Sequence, residues 1–242
     1  MTAQAPKISV VVPLYNETES LPLLTAQLSR VLNSLDRSSE IIYVDDGSTD
    51  DSLITLKDLQ QDYPRVRLIR FARNAGQSAA LAAGFRAARG KVVITLDADL
   101  QNDPADIPKL MDKIEQYDCV CGVRMNRHDE FLRKVSSWVA NAMRNAVLKD
   151  QMEDIACGLK VFRKTYLDRI PMFNGMHRFL PTLVRMHGGS VAEVRIRHRP
   201  RLYGKTKYNI RNRILRAFTD MLAVRWMRSR RISYRIEETS DE

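Results

Sequence analysis

No stretch of this 242-residue chain approaches the ~18 consecutive apolar residues that a membrane-spanning helix requires. No secretory leader is expected either: Met1 to Lys7 is polar, and the first apolar run is interrupted by Ser9 and Pro13. Cysteine is scarce. Cys119, Cys121 and Cys157 are an odd number of thiols in a mid-sized chain, which argues against a disulfide framework and for a reducing cytosol. Cys119-x-Cys121 lacks the second pair that a metal site of that type needs, so buried thiols are the expectation. His128, His177, His187 and His198 show no ligand spacing. Two phosphate-binding devices are absent too. The segment after the first apolar run, Pro13-Leu14-Tyr15-Asn16-Glu17, has no glycines to let a backbone close on a pyrophosphate, and no Gly-Lys-Ser/Thr loop occurs anywhere. These absences argue against a dehydrogenase and against a nucleotide-hydrolysing switch. Internal repeats and low-complexity tracts are also missing, and the length suits one globular α/β domain with an appendage.

What is present centres on Thr95-Leu96-Asp97-Ala98-Asp99-Leu100-Gln101, which follows the apolar run Val92-Val93-Ile94. Residues i and i+2 of an extended segment point the same way, so Asp97 and Asp99 can reach one point in space. Two carboxylates so close are costly without a positive charge between them. A hard divalent cation, Mg²⁺ or Mn²⁺, fits that requirement, and Gln101 adds a neutral oxygen on the same side. Asp-x-Asp alone also occurs in ordinary surface turns; its surroundings decide.

Ile8 to Val12 reads as a strand leading into Pro13-Leu14-Tyr15-Asn16-Glu17, and Glu40 to Val44 as one ending in Asp45-Asp46-Gly47-Ser48-Thr49-Asp50. A helix is expected from about Ser20 to Ser34. Another should follow Asp50, with Ser48, Thr49 and Asp50 as capping residues. Val66 to Phe71 reads as a fourth strand, and the alanine-rich stretch from Ala75 to Arg89 as the helix preceding the Asp-x-Asp strand. Such alternation predicts an α/β fold with a mostly parallel sheet flanked by helices. In these sheets ligands lie beyond the carboxyl ends of the strands, where three of the polar clusters fall.

Val11-Val12-Pro13-Leu14-Tyr15-Asn16-Glu17, Val44-Asp45-Asp46-Gly47-Ser48-Thr49-Asp50, Arg73-Asn74-Ala75-Gly76-Gln77 and Asp97-Ala98-Asp99-Leu100-Gln101 together resemble the successive signatures of family 2 glycosyltransferases with the GT-A fold. Gly122-Val123-Arg124-Met125-Asn126-Arg127, Asp154 to Lys160 and Arg201-Leu202-Tyr203-Gly204-Lys205-Thr206-Lys207-Tyr208 resemble the dolichol-phosphate mannose synthase branch, with its bacterial polyprenyl-phosphate enzymes. The likeness spans about Ile8 to Tyr208. It implies that Pro13, Tyr15, Glu17, Asp45, Asp46, Asp97 and Ala98 hold the nucleotide of a GDP- or UDP-linked sugar. It implies that Asp97, Asp99 and Gln101 hold Mg²⁺ or Mn²⁺, and that Arg124, Arg133, Ser137, Arg201 and Lys207 handle the acceptor phosphate. Asp99, Arg124 and Lys207 are then the expected catalytic set. One departure is Gly158-Leu159-Lys160, where the family has Gly-Phe-Arg: the charge is kept and the planar fork lost. Another is the lack of spanning helices, in which the chain resembles short members that sit on the membrane or borrow an anchoring subunit.

The net charge of +10 is concentrated late in the chain: Arg195 to Arg235 contains fourteen Lys or Arg and one acid, Asp220. Ile214, Leu215, Phe218, Met221, Leu222 and Trp226 recur at three- and four-residue steps. Residues 209–242 are therefore expected to form a basic amphipathic segment appended to a catalytic domain of residues 1–208. It is suited either to an anionic lipid interface or to packing on the protein's own core. Arg211 and Arg225 fall inside the apolar arc and weaken both versions. Nucleic acid is the poorer partner, since no recognised binding motif accompanies the charge.

The expected reaction is transfer of a sugar, with inversion, from a nucleotide donor to a polyprenyl phosphate at the cytoplasmic membrane face. Two alternatives stand beside it. A soluble or glycan acceptor would need a catalytic carboxylate, for which Asp129, Asp154 and Glu193 are available. A non-catalytic basic protein on a degenerate fold is disfavoured by the intact aspartate sets.

Overall fold

A computed structural model describes residues 5–125, 145, 147–148, 150, 152–201 and 210–232. The first half alternates as the hydrophobic pattern requires: β1 (Ile8–Leu14), α1 (Leu21–Ser34), β2 (Ser39–Asp45), α2 (Ser52–Asp62), β3 (Val66–Arg70), α3 (Gln77–Ala87) and β4 (Val92–Thr95). Then come α4 (Ile107–Ile114), β5 (Cys119–Arg124), β6 (Lys160–Arg163), a helix over Leu180–Met186, β7 (Val191–Ile196) and a last described helix over Ile210–Ser229. The strands form one seven-stranded sheet in the order β3-β2-β1-β4-β6-β5-β7.

Six strands share one direction, and β6 runs against both its neighbours. β5 ends at the carboxyl edge of the sheet with Arg124, and the chain returns to the sheet at that same edge, where Lys160 pairs with Thr95 and Cys121. A strand starting from that edge can only run back down. This reversal hangs Asp154, Cys157 and Gly158 beside the ends of β4 and β5.

Side chains alternate across the sheet with a period of two. Val10, Val12, Ile41, Tyr43, Ile94 and Val161 join the core beneath α1, α2 and α4. Val11, Ile42, Val44, Val93, Cys121 and Phe162 join the other core, beneath α3 and the helix Leu180–Met186. α4 shows the pattern that drives this burial: Ile107, Leu110, Met111 and Ile114 are all buried at helical spacing. All three thiols are buried and free, and the Cys119 and Cys121 sulfurs lie 3.6 Å apart on one face of β5.

The capping expectation for α2 is corrected. The helix starts at Ser52 with Asp51 as N-cap and no side-chain capping bond. Asp50 instead accepts from the Ser52 N–H at 3.0 Å and from the Thr18 hydroxyl at 2.7 Å, so it joins two loops.

The last helix divides its apolar residues between two environments. Met221 and Val224 are buried in the second core, and Arg228 donates to the Leu148 carbonyl. Asp220 pairs with Arg178 at 3.5 Å. Phe218, Leu222 and Trp226 are exposed, Trp226 by 63%. The side chains of residues 210–216, Ile214 and Leu215 among them, lie outside those described. Packing on the protein's own core and an outward apolar stripe therefore coexist on one helix.

Candidate active site

β1 pairs with β2 along its whole length but with β4 only from Ile8 to Val11. Beyond that register the two central strands diverge, at the point where the order of the parallel strands reverses. Three loops converge there and are latched to one another. Asn16, with a left-handed φ of 54°, accepts from the Thr49 N–H at 2.8 Å, while its own N–H donates to Ser48 Oγ at 2.9 Å. Glu17 N–H donates to Ser52 Oγ at 3.0 Å. Gly47 has φ +72°, and a Cβ there would lie 2.7 Å from the Arg73 carbonyl carbon, so only glycine lets the third loop close over the second.

The two adjacent aspartates after β2 face different partners. Asp46 is occupied by the third loop, accepting from the Ala75 and Gly76 N–H groups at 2.7 and 2.9 Å. Asp45 is fully buried; its Oδ1 accepts from the Ser48 N–H at 2.8 Å. Among the described residues its Oδ2 is buried without a hydrogen bond, with Arg70 Nε 3.6 Å away. A buried carboxylate oxygen left in that state is costly. Pro13 is buried at the end of β1 opposite Val44; Tyr15 and Glu17 are partly exposed beyond it.

Asp97 and Asp99 leave the end of β4 side by side, with Ala98 buried between them. Burial first, and then the charge of Asp99, pushes the Asp97 carboxyl up to about 6, against the opposing pull of Lys160 and Arg124. Gln77, the first residue of α3, donates from Nε2 to Asp97 Oδ1 at 3.0 Å. Asp99 Oδ1 accepts from the Gln101 N–H at 3.1 Å across Leu100, whose φ of 61° is left-handed. That conformation costs a leucine ~1–2 kcal/mol, which full burial of its side chain, ~1.5–3 kcal/mol, offsets. Among the described residues no group of three or more His, Cys, Asp or Glu gathers to hold a metal by itself. Asp97 and Asp99 as neighbouring carboxylates suit Mg²⁺ or Mn²⁺, which take one or two protein carboxylates and complete their shell with water and substrate phosphates.

Gly158 is what lets Asp97 sit there. A Cβ at Gly158 would fall 2.2 Å from Asp97 Oδ2, and the Gly158 carbonyl is fixed by the Thr95 hydroxyl at 2.8 Å. We therefore expect Gly158→Ala to displace the Asp97 carboxylate and to cut turnover by more than ~10-fold. The cost in folding stability should be only ~1–3 kcal/mol, as for overpacking elsewhere. Activity assays beside thermal unfolding check this; unchanged turnover would contradict it.

Arg124, at the end of β5, is engaged with Asp154 through two hydrogen bonds of 2.7 and 2.9 Å, and both side chains are largely buried. Glu193 accepts from the Glu153 and Asp154 N–H groups, and burial raises its carboxyl above the usual range. Of the carboxylates available as a base, these two are thus committed to structure. Asp129, and the expected phosphate-handling residues Arg133, Ser137 and Lys207, lie outside the described residues. Arg201 is brought in from the chain after β7: its guanidinium lies 2.5 Å from Glu17 Oε1 and 3.8 Å from Asp99 Oδ2.

Two participants escaped the sequence reading. Gln77 lay in a quoted motif without a role. Lys160 was noted only as a departure from Arg; it is 4% exposed and donates to the Cys157 carbonyl. A lysine heading a short strand in an apolar context was the available signal.

The model of the family described as "Glycosyl transferase family 2" matches residues 9–171. A dodecaprenyl-phosphate galacturonate synthase from Rhizobium johnstonii is 36% identical over 227 residues, covering 91% of this chain and 67% of that protein. An undecaprenyl-phosphate 4-deoxy-4-formamido-L-arabinose transferase from Proteus mirabilis is 39% identical over 205 residues, covering 84% and 63%. The chain thus spans about two thirds of the length of these curated relatives. Among solved structures, glucosyl-3-phosphoglycerate synthase from Mycobacterium tuberculosis, crystallised with Mn²⁺, UDP and glucosyl-3-phosphoglycerate, superposes with a TM-score of 0.71 at 19% identity. That match covers 92% of this chain and 80% of the other, and it shows the fold. Latched loops at the strand switch point, a paired-aspartate strand end and the matched family model lead to one conclusion: the chain belongs to glycosyl transferase family 2.

Proposed function

We propose that the protein transfers a sugar, with inversion, from a nucleoside-diphosphate donor to a polyprenyl phosphate at the cytoplasmic face of a membrane. The observation that carries the donor half is the buried Asp45 Oδ2, without a hydrogen bond among the described residues, at the same edge of the sheet as Asp97 and Asp99 with β1 between them. An imide N–H would satisfy it. Uracil presents that group at N3 and guanine a comparable lactam N–H at N1, whereas adenine and cytosine have no ring N–H on that edge, in keeping with a UDP- or GDP-linked sugar. Pro13, Tyr15 and Glu17 lie at the end of the neighbouring strand β1, and Asp46 contributes by fixing the loop that leads into Gln77.

Asp97, Asp99 and Gln101 would hold Mg²⁺ or Mn²⁺, which supplies Lewis-acid neutralisation of the departing diphosphate. The protein's own work is to place the anomeric carbon and to keep cations near both anions. A phosphate monoester has a second pKa of about 6 and arrives as an anion at neutral pH, so it needs cations and no general base. The structural commitments of Asp154 and Glu193 support that reading, as do the acceptors named in the curated relatives. Transfer from UDP- and GDP-sugars to undecaprenyl phosphate, assayed with and without Mn²⁺, tests it. Turnover only with a non-phosphorylated acceptor would overturn it.

We further propose that residues 209–242 bring the enzyme to an anionic membrane surface. Phe218, Leu222 and Trp226 form an outward stripe at four-residue spacing, flanked by exposed Arg225, Arg230 and Arg231. Each Lys or Arg near such a surface contributes ~1 kcal/mol. Co-sedimentation with anionic vesicles is expected at low salt, with release at high salt. Leu222→Ser with Trp226→Ser should weaken it by ~10-fold or more, since burial of such side chains is worth ~1.5–3 kcal/mol each. No binding to anionic vesicles at low salt would leave an anchoring subunit as the better explanation.

A further inference from the structure

Arg201 joins Glu17, expected to hold the nucleotide, to Asp99, expected to hold the metal. Its Nη2 is 2.5 Å from Glu17 Oε1 and its Nη1 3.8 Å from Asp99 Oδ2, and all three side chains are at least three-quarters shielded from solvent. The backbone that carries it is tied to the Asp-x-Asp loop. Arg199 N–H donates to the Gln101 carbonyl at 2.9 Å, Asn102 bridges to His198, and the Arg199 guanidinium binds Asp103 and Gln27. The tether fixes where Arg201 starts, and its long side chain reaches both Glu17 and Asp99.

We propose that Arg201 competes with the divalent cation for Asp99 and thereby orders substrate uptake: it neutralises Glu17 and Asp99 beforehand, and turns to the acceptor phosphate once donor and metal are seated. Arginine stays charged at any physiological pH, so it cannot yield by losing a proton; it has to move. A dication on Asp99 would stand within a few ångströms of the guanidinium, and in a partly desolvated site that repulsion is weakly screened. The long contact to Asp99 is the one that gives way first, and a ribose competing for Glu17 would loosen the short one. The cation needed by the second anion is thus released by the arrival of the first substrate. This inference rests on the functional reading above for the identity of metal and acceptor.

The test is Mn²⁺ uptake by nucleotide-free protein, followed by the EPR signal of free Mn²⁺, with Asp99→Ala as the control that locates the site. Removing the competitor in Arg201→Met should tighten Mn²⁺ binding about five- to tenfold, the lower range of typical couplings between sites. In the wild-type protein, phenylglyoxal labelling of Arg201, read by peptide mass spectrometry, should accelerate as Mn²⁺ is added; this arm decides alone if the Met variant does not fold. Equal or weaker Mn²⁺ binding by Arg201→Met overturns the proposal, as does labelling that ignores bound Mn²⁺. Failure to take up Mn²⁺ even with UDP or GDP present would instead bring down the functional reading.

Discussion

Asp99→Ala is expected to abolish sugar transfer while leaving the fold intact. Among the described residues the site offers few carboxylates to a cation, so the loss of Asp99 removes one of two neighbouring candidate ligands. Neutralising charge on a departing diphosphate is worth several kcal/mol; a loss of ~4 kcal/mol corresponds to a fall of about 10³-fold at 1.36 kcal/mol per tenfold. Stability should change little: deleting Asp99 relieves repulsion on Asp97, which offsets the lost bond from the Gln101 N–H and the lost contact to Arg201. Asp97→Ala should impair turnover severely too, with a different accompaniment: Gln77 loses its acceptor, and the space against Gly158 opens. Turnover in Mn²⁺, read beside thermal unfolding, distinguishes the cases. Near wild-type activity of Asp99→Ala would sink the metal assignment.

Arg124→Ala is expected to lower kcat/KM for the acceptor by at least about 10²-fold, with much less effect on donor binding, and to destabilise the protein. The second effect comes from the pair with Asp154: leaving that carboxylate buried without its partner costs ~3–5 kcal/mol. The two effects are separable. Arg124→Lys keeps a charge but loses the fork, so part of the acceptor activity should return while the two-pronged bond to Asp154 does not. Asp154→Asn keeps Arg124 and removes the only proton-accepting capacity the pair has; it should retain activity within ~10-fold. Lys207→Ala, outside the described residues, should resemble Arg124→Ala in its effect on the acceptor. If Asp154→Asn or Glu193→Gln ended chemistry while both substrates still bound, the nucleophile would be an alcohol needing a base, and the polyprenyl-phosphate reading would give way.

The alternation of the first half was legible because local signals and global fold agree there. Val10 to Val12, Ile41 to Val44 and Val93 to Ile94 are runs buried on both faces, as a parallel sheet demands, and the helices between them carry the matching stripes. The ends of those strands could be named as a site for the same reason, since side-chain period and strand direction place Asp45, Asp97 and Asp99 on one edge. The antiparallel β6 was not legible: four residues carry no sign of direction, and only the return of the chain from the carboxyl edge sets it. The partners of charged groups were hidden for a related reason. Arg201 and Glu17 are 184 residues apart, and Arg124 and Asp154 are 30 apart; neither spacing encodes a contact. Likewise, the apolar arc of the last helix could be read, yet which residues turn inward depended on the surface it met. Periodicity is a property of neighbours along the chain, so the sequence by itself determined the elements, the family and the edge where chemistry gathers. Ion pairing and close approach are properties of neighbours in space. Contacts in three dimensions were therefore needed to show that Asp46 serves a loop, that Gly158 makes room for Asp97, and that Arg201 lies between Glu17 and Asp99.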